Sequence, residues 1–235
     1  MNRRRFLIGA AAVTLAPDAS LEGTSLFIEG RERALTDILT PATNGAGKEA
    51  DFFAAAISEI LRQGTPSGPA PIATDRWGRG EGAIFWRLGE GRETTVQEML
   101  LSQGAARVAP QSDDFPFIER CFAAERAARD ANLGLWAEDA WRIRDASKSE
   151  PSSGFQIYAG VIRSANERKS RVFFNFGEDF RSDFTASVAR GAFRRWKQFP
   201  DIASLAGRRA EVRGYVESIN GPSIELTHPL QLRLA

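Results

Sequence analysis

The most regular alternation of apolar and polar residues in this chain lies in the segment 94–136. In its first half, apolar residues such as Leu100 and Leu101 recur at helical spacing, and Thr94 or Thr95 can serve as the N-cap. The second half repeats small or apolar residues every three or four positions, at Phe117, Cys121, Ala124, Ala128, Ala131 and Leu135. This pattern predicts two helices that each pack one face against another element.

Shorter segments on the N-terminal side have the patterns of strands and of one further helix. The predicted strands are 25–30, 33–40, 71–77 and 82–88, and the predicted helix is 48–63. The intervening stretch 64–71 is rich in Gly, Pro and Ser, which predicts a turn. Short strands combined with helices predict a small β-barrel plus helices, the arrangement of an oligonucleotide/oligosaccharide-binding (OB) fold.

The last third of the chain again has strand patterns. The predicted strands are 155–165, 170–177, 183–189, 208–219 and 222–234, and Asn220-Gly221 is a hairpin signal before the last of them. A short helix is expected within 192–205. Five strands with a helix before the fourth predict a second small β-barrel, OB-like, over 155–235. The polar, serine-rich segment 142–154 is predicted to be the linker between the two domains.

Composition limits the chemistry that the chain can perform. The sequence has 235 residues, 43% hydrophobic and 26% charged, as in soluble globular domains. One cysteine excludes an intramolecular disulfide, and the position of Cys121 among apolar residues predicts a packed core thiol. One histidine, His228, excludes a site built from several histidines and is expected at the surface or at a strand end.

The N-terminus has the architecture of an export signal. Three arginines, Arg3 to Arg5, precede the apolar run 6–16, and the string R-R-x-F-L resembles a twin-arginine signal. We therefore predict a signal peptide over 1–20 and a periplasmic or other extracytoplasmic location. An uncleaved signal that anchors the protein to the membrane is the alternative, because neither Ala16 nor Ala19 ends a good cleavage motif.

Charge is distributed unevenly along the sequence. Residues 156–235 contain 13 Lys and Arg against 8 Asp and Glu, out of 31 and 30 in the whole chain, so the second domain is basic. Two clusters are candidate ligand-binding residues: Arg168, Lys169 and Arg171, and Arg194, Arg195, Trp196 and Lys197. Cationic and aromatic side chains of this kind suit a polyanion or a single-stranded nucleic acid. Phe174 and Phe176 share one face of a strand and are expected in the core.

Three motifs together carry a resemblance to a known family. VQEMLLSQGAARVA at 96–109, ERAARDANLGLW at 125–136 and DRWGRG at 75–80 occur in the order, and at the distances, of the thermonuclease (micrococcal nuclease) family. With Leu39-Thr40-Pro41, the resemblance covers about residues 21–140. It implies a thermonuclease-like OB barrel with helices, and we place this domain at 21–141.

The resemblance also implies a set of catalytic positions, which this sequence fills poorly. In the family, two aspartates hold Ca²⁺, a glutamate positions the attacking water and two arginines stabilise the phosphoryl oxygens. The matching positions here are Leu39 for an aspartate, Ala42 for the glutamate and Ala34 for the first arginine. Near the other aspartate position only Glu22 offers a carboxylate. The second arginine is retained as Arg79, a remnant phosphate-binding residue or, alternatively, a partner of a nearby carboxylate.

Two relocated residues could restore part of this set. A shift of register by one residue would bring in Arg33, but its side chain would point to the opposite face of the strand. A bulge of two residues would bring in Asp37. Neither change supplies the glutamate.

Three functions remain open on the sequence alone. We favour an exported protein of thermonuclease fold that is catalytically inactive and acts as a binding or assembly module for a protein or polyanion of the cell envelope. The alternatives are an active, Ca²⁺-dependent nuclease and a non-catalytic nucleic-acid-binding protein. No cofactor or metal is expected unless the nuclease alternative holds, and the N-terminal segment is a candidate for membrane contact.

Overall fold

The computed structural model describes residues 13–16, 19–22, 25–41, 47–69, 71, 73–148, 150, 152–179, 182–197, 199 and 201–235. The chain divides into two compact units, Met1–Ala137 and Glu138–Ala235. None of the helices formed by the described residues has the length and apolar character needed to cross a membrane. The predicted signal peptide lies mostly outside the described residues and stays a prediction.

The first unit combines short antiparallel sheets with three helices. Its elements are β1 (Val13–Ala16), β2 (Ala19–Glu22), β3 (Ser25–Ile28), β4 (Arg31–Arg33), β5 (Ile38–Leu39), α1 (Lys48–Arg62), β6 (Gly64–Pro66), β7 (Phe85–Leu88), β8 (Glu93–Thr95), α2 (Val96–Ser102), β9 (Arg107–Val108) and α3 (Phe115–Asp130). Strands β1 to β4 form one meander, β6 to β8 a second, and β5 pairs with β9.

Two strand predictions and one turn prediction for this unit need correction. The segment 33–40 is not one strand, because β4 ends at Arg33 and β5 covers only Ile38–Leu39. The segment 71–77 is not a strand; among its described residues it has one isolated bridge, Thr74 to Gly80, because Asp75 draws the following residues into a turn. The predicted turn 64–71 instead begins with β6, whose residues pair antiparallel with β7. An edge strand can contain Gly64 and Pro66, because its outer side makes no ladder hydrogen bonds.

The three helices pack their apolar faces into one core. Fully buried side chains include Ile57 and Ile60 of α1, Leu100 of α2 and Trp86 of β7, whose indole N–H donates to the Ile60 carbonyl at 3.1 Å. Thr95 caps α2, since its hydroxyl oxygen accepts the backbone N–H of Glu98 at 3.1 Å. The predicted β-barrel plus helices is confirmed as the fold class.

Helix α3 differs from its predicted amphipathic pattern at one charged position. Phe117, Cys121 and Ala128 are buried as expected, but Glu125 is buried beside them, with 1% of its surface exposed. Its carboxylate accepts the backbone N–H of Val108 at 2.5 Å and therefore ties α3 to β9. Burial raises the pKa of the Cys121 thiol above its ordinary range, so the thiol stays protonated in the folded chain.

Strands are the main regular elements of the second unit. Its elements are β10 (Arg144–Asp145), β11 (Gly154–Val161), β12 (Ser164–Glu167), β13 (Arg171–Asn175), β14 (Thr185–Ala189), α4 (Arg190–Phe193), β15 (Arg209–Ser218), β16 (Pro222–Leu226) and β17 (Leu232–Leu234). All of these strands belong to one sheet, in the order β10-β11-β15-β16-β14-β13-β12, with β17 beside β15.

The order of strands in this sheet differs from their order in the sequence. Strands β11 and β12 follow each other directly, yet β11 pairs with β15 at one end of the sheet and β12 pairs with β13 at the other. Strands β14 and β16 are parallel, so the connection between them passes through β15. The OB-like barrel over 155–235 stays a prediction. The short helix expected within 192–205 instead begins earlier, as α4, and a 3₁₀ turn follows at Ile202–Leu205.

Aromatic side chains form much of the core of the second unit. Tyr158 stacks on Phe184 with ring centroids 3.9 Å apart, and both rings are fully buried. Phe174 and Phe176 are also buried, which confirms their predicted place in the core. Part of the predicted linker belongs to this unit, because β10 pairs with β11 and Ala146 lies in the core.

Candidate functional site

The family's catalytic positions fall on the segment that leads from β4 to β5. Backbone hydrogen bonds from Ala34 N to Gly80 O and from Gly80 N to Glu32 O, both 2.9 Å long, align this segment with the glycine-rich turn. On the resemblance, Ala34 and Leu39 stand where the family has an arginine and an aspartate, and neither side chain has a group that binds phosphate or a cation. The glutamate position, Ala42, lies outside the described residues.

Asp37, the carboxylate that a bulge of two residues would bring in, instead holds a loop in place. It is fully buried, and one carboxylate oxygen accepts the backbone N–H groups of Gln111 at 2.7 Å and Ser112 at 2.8 Å. The other oxygen accepts the Ser112 hydroxyl at 2.6 Å. With three donors already bound and no exposed surface, Asp37 does not present its carboxylate to a cation in solvent.

Arg79 lies in a tight turn that Asp75 organises. One oxygen of Asp75 accepts the backbone N–H groups of Trp77 and Arg79, both at 2.9 Å, and the other accepts Arg79 Nε at 2.7 Å. The Arg79 side chain is 37% exposed, so the rest of its guanidinium remains accessible. The structure thus confirms the predicted partnership with a nearby carboxylate.

Trp77 projects from the tip of this turn. Its side chain is 66% exposed, and the guanidinium carbons of Arg76 and Arg79 lie 4.3 and 5.1 Å from the ring centroid. The two cation–π contacts hold the ring and the cations together at the surface. The sequence motif DRWGRG therefore forms a rigid, cationic and aromatic turn.

The hydrogen bonds on Asp75 predict how this turn responds to pH. Burial alone would raise the pKa of the carboxyl, but hydrogen bonds from Arg79 and Trp77 outweigh it and hold the pKa below its ordinary value. The stabilising contribution is therefore fully present above the ordinary pKa and is lost as pH falls through the lowered one. We expect the Arg79 Nε–H resonance to keep its folded position down to about pH 3.9, the ordinary value for Asp, and to move only below it.

An NMR titration of Arg79 Nε–H measures this directly, and Asp75→Asn, which cannot ionise, is the control and should abolish the transition. A midpoint at or above the ordinary aspartate pKa would contradict the assignment of Asp75 as a carboxylate stabilised by its donors.

The calcium site that the family implies finds no matching ligands in the described part of the chain. Among those residues, no three side chains of His, Cys, Asp or Glu come together in a way that could hold a metal ion. Ca²⁺ prefers several oxygen ligands with carboxylates among them. Leu39 and the buried, fully engaged Asp37 do not meet that requirement.

The second unit brings its two basic sequence clusters together. The turn after β12 and the start of α4 meet where Arg190 N donates to Ser170 O at 2.8 Å. Glu167 lies between them and forms ion pairs with both Arg190 and Arg194. We call this surface the basic surface; it comprises Arg168, Lys169, Arg190, Arg194, Arg195 and Lys197.

Four cations of the basic surface remain available to a ligand. Arg168, Lys169, Arg195 and Lys197 are exposed, and within the described residues their side chains have no ion-pair partner. Arg171, also a candidate from the sequence, instead pairs with Glu225 at 2.8 Å and contacts Ser187 Oγ at 3.1 Å.

Trp196 lies beside this surface but mainly serves packing. It is half-buried, and its ring centroid lies 6.1 Å from that of Phe193 and 6.0 Å from that of Phe199. Sequence patterns missed Glu167 and Arg190, which join the two clusters. Their charges were visible, but only the pairing of β12, β13 and β14 places residue 167 next to residue 190.

Comparison with known families agrees with the architecture of the first unit. Residues 34–138 match the family model for Staphylococcal nuclease homologue. That domain is an OB-fold, so the chain contains a staphylococcal nuclease-like domain, as the resemblance over 21–140 predicted. A comparison with curated proteins finds no match.

Proposed function

We propose that this protein is a non-catalytic binding protein whose second barrel holds a polyanion at the basic surface. The observation that carries the proposal is the convergence of two basic segments around Glu167, which leaves four exposed cations without an ion-pair partner in the described structure. Several cations on one surface attract a chain of regularly spaced anionic groups, because each neutralised group releases counterions.

Glu167 gives this surface a defined shape. Because it pairs with both Arg190 and Arg194, it holds the start of α4 against the turn that follows β12. The exposed cations that have no ion-pair partner among the described residues, such as Lys169 and Arg195, lie beside these ion pairs. Preorganised cations lose less side-chain entropy on binding than freely moving ones.

The first unit supports a non-catalytic function. Arg79 remains, but Ala34 and Leu39 replace the first arginine and an aspartate, and Asp37 is engaged in the fold. Loss of one preorganised charged group typically costs about 10²–10³ in rate, so loss of several removes this route to phosphodiester hydrolysis. In our proposal the nuclease-like domain is a scaffold, and the protein acts outside the cytoplasm after export through its N-terminal signal.

A direct test of inactivity uses the purified full-length chain with single-stranded DNA and RNA in millimolar Ca²⁺. We expect no hydrolysis above background, no effect of a chelator, and the same result for Arg79→Ala. Chelator-sensitive cleavage that Arg79→Ala reduces at least tenfold would establish the nuclease alternative and overturn the proposal for the first unit.

Binding is tested separately, with a twenty-nucleotide oligothymidylate and with polyphosphate as probes. A polyanion site predicts binding of both, with affinity that falls steeply as salt rises. Much tighter binding of the oligonucleotide at equal charge would favour the nucleic-acid-binding alternative, because only bases can stack on aromatic rings. No binding of either probe at low salt would refute the proposed function.

A further inference from the structure

A small cavity in the first unit contains a buried arginine whose polar atoms are incompletely satisfied. The cavity has a volume of about 70 Å³, and its lining includes Glu29, Arg31, Arg33, Ser67 and Phe85. The Arg33 side chain extends from β4 into it with only 9% of the residue's surface exposed.

This cavity is separate from the position of the family's phosphate-binding arginines. Successive side chains of an extended segment point to opposite faces, so Arg33 and Ala34 face opposite ways. A Cβ atom built on Gly80 would lie 3.0 Å from Arg33 Cδ, so a side chain at position 80 would point toward Arg33. The side chain of the preceding residue, Arg79, points to the opposite side. Arg33 and Arg79 therefore do not converge on one ligand.

Two buried polar atoms of the cavity lack hydrogen-bond partners. Arg33 Nε has none, and Arg33 Nη2 reaches the Ala83 carbonyl only at 3.5 Å. The Ser67 hydroxyl is also buried without a partner and lines the same cavity. Buried donors left unpaired are costly, so a cavity with two of them is suited to an acceptor. Burial also lowers the pKa of Arg33, partly opposed by the charge of Glu29, and an anion would relieve that cost.

Charge and size define the anion. Arg31 and Arg33 contribute two positive charges and Glu29 one negative charge, which leaves one positive charge to be matched. A water molecule occupies about 30 Å³ in the liquid, so the cavity has room for a group of a few heavy atoms. A planar carboxylate can accept from an arginine edge and a hydroxyl at once.

We propose that this cavity binds a carboxylate group, with Arg33 Nε–H and the Ser67 hydroxyl as its donors. Arg31 at the mouth attracts the anion, and Glu29 disfavours groups with two negative charges. The carboxylate can belong to a small free acid or to the C-terminus of a polypeptide.

The test follows the Arg33 Nε–H resonance of the full chain during titration with sodium acetate at constant ionic strength, with chloride as the replaced anion. We expect a saturable shift in acetate and none in chloride. Arg33→Lys identifies the resonance. Ser67→Ala should weaken acetate binding about tenfold or more, since it removes one donor to a charged group.

Ser102→Ala, which removes an exposed hydroxyl on α2, is the matched control and should leave acetate binding unchanged. Acetylated triglycine with a free C-terminus, and the same peptide as an amide, distinguish the two sources. Tighter binding of the free peptide than of acetate assigns the site to a polypeptide end, and equal or weaker binding assigns it to a small acid.

Three results would overturn the proposal. They are an unmoved Arg33 resonance in both acetate and the free peptide, measurable binding of the amidated peptide with the same affinity as the free one, and equal saturation by chloride or phosphate. Because Ser67→Ala keeps Arg33 in place, a folding defect in an arginine variant does not prevent the test. Failure here also leaves the basic surface of the second unit untouched.

Discussion

Replacement of Asp37 with alanine is expected to lower the free energy of unfolding of the chain by about 3–5 kcal/mol, the range for removal of one partner from a buried charged network. The carboxylate accepts two backbone N–H groups and one hydroxyl in a fully buried position. Alanine would leave these donors, on Gln111 and Ser112, without an acceptor. It would also have to adopt the positive φ of 66° that aspartate tolerates better.

Urea unfolding followed by tryptophan fluorescence measures the loss. Asp113→Ala is the matched control, because this neighbouring aspartate is exposed and its replacement should change stability by no more than about 0.5 kcal/mol. The measurement also tests the role of Asp37. If a chelator lowered the stability of the wild-type chain but not that of Asp37→Ala, Asp37 would be a metal ligand rather than a fastening for the loop.

Charge reversal at the basic surface should have the second large effect. The triple variant Lys169→Glu/Arg195→Glu/Lys197→Glu turns three exposed cations into anions. These anions lie near Glu167, which already carries a negative charge. We expect affinity for oligothymidylate or polyphosphate at low salt to fall by about 10²–10³. Each lost contact to a single strand should also reduce the slope of log affinity against log salt by about 0.7.

The control variant carries the same change of charge elsewhere in the second unit. Arg163 immediately precedes β12, at the end of that strand opposite Glu167, and Arg208 and Arg209 lie beside β11 near the same end. Reversal of these three should weaken binding only slightly, through net charge. Equal losses in the two triple variants would show that the polyanion follows overall charge and that the basic surface is not a site.

Much of the fold could be predicted from local patterns. The spacing of apolar residues located α2 and α3, and Thr95 with Glu98 marked the start of α2. The alternation in 210–216 marked β15. These signals lie within a few residues of each other and reflect one exposed and one buried face. They can therefore be recognised in a single sequence.

Other features depended on contacts that the sequence does not display. Asp75 turned a predicted strand into a loop through hydrogen bonds of its side chain. Glu125 is a charged residue on a buried helix face, where its carboxylate accepts the backbone N–H of Val108 and pairs with Arg129 at 3.5 Å.

The candidate sites were only partly predictable for the same reason. The cations of both clusters could be identified from the sequence. Only the pairing of distant strands, however, places the two clusters together around Glu167. Strand alternation predicted that Arg33 points to the face opposite that of residue 34, whereas the cavity that it enters depends on Ser67 and Phe85, more than thirty residues later.

The parallel pairing of β14 with β16 has a consequence for biosynthesis. Because β16 lies between β14 and β15, the sheet of the second unit stays divided into two parts until residue 226 has been made. Pairings between residues so far apart in the chain form slowly. The first unit can fold while translation continues, whereas the second must wait for almost all of its own residues to emerge from the ribosome.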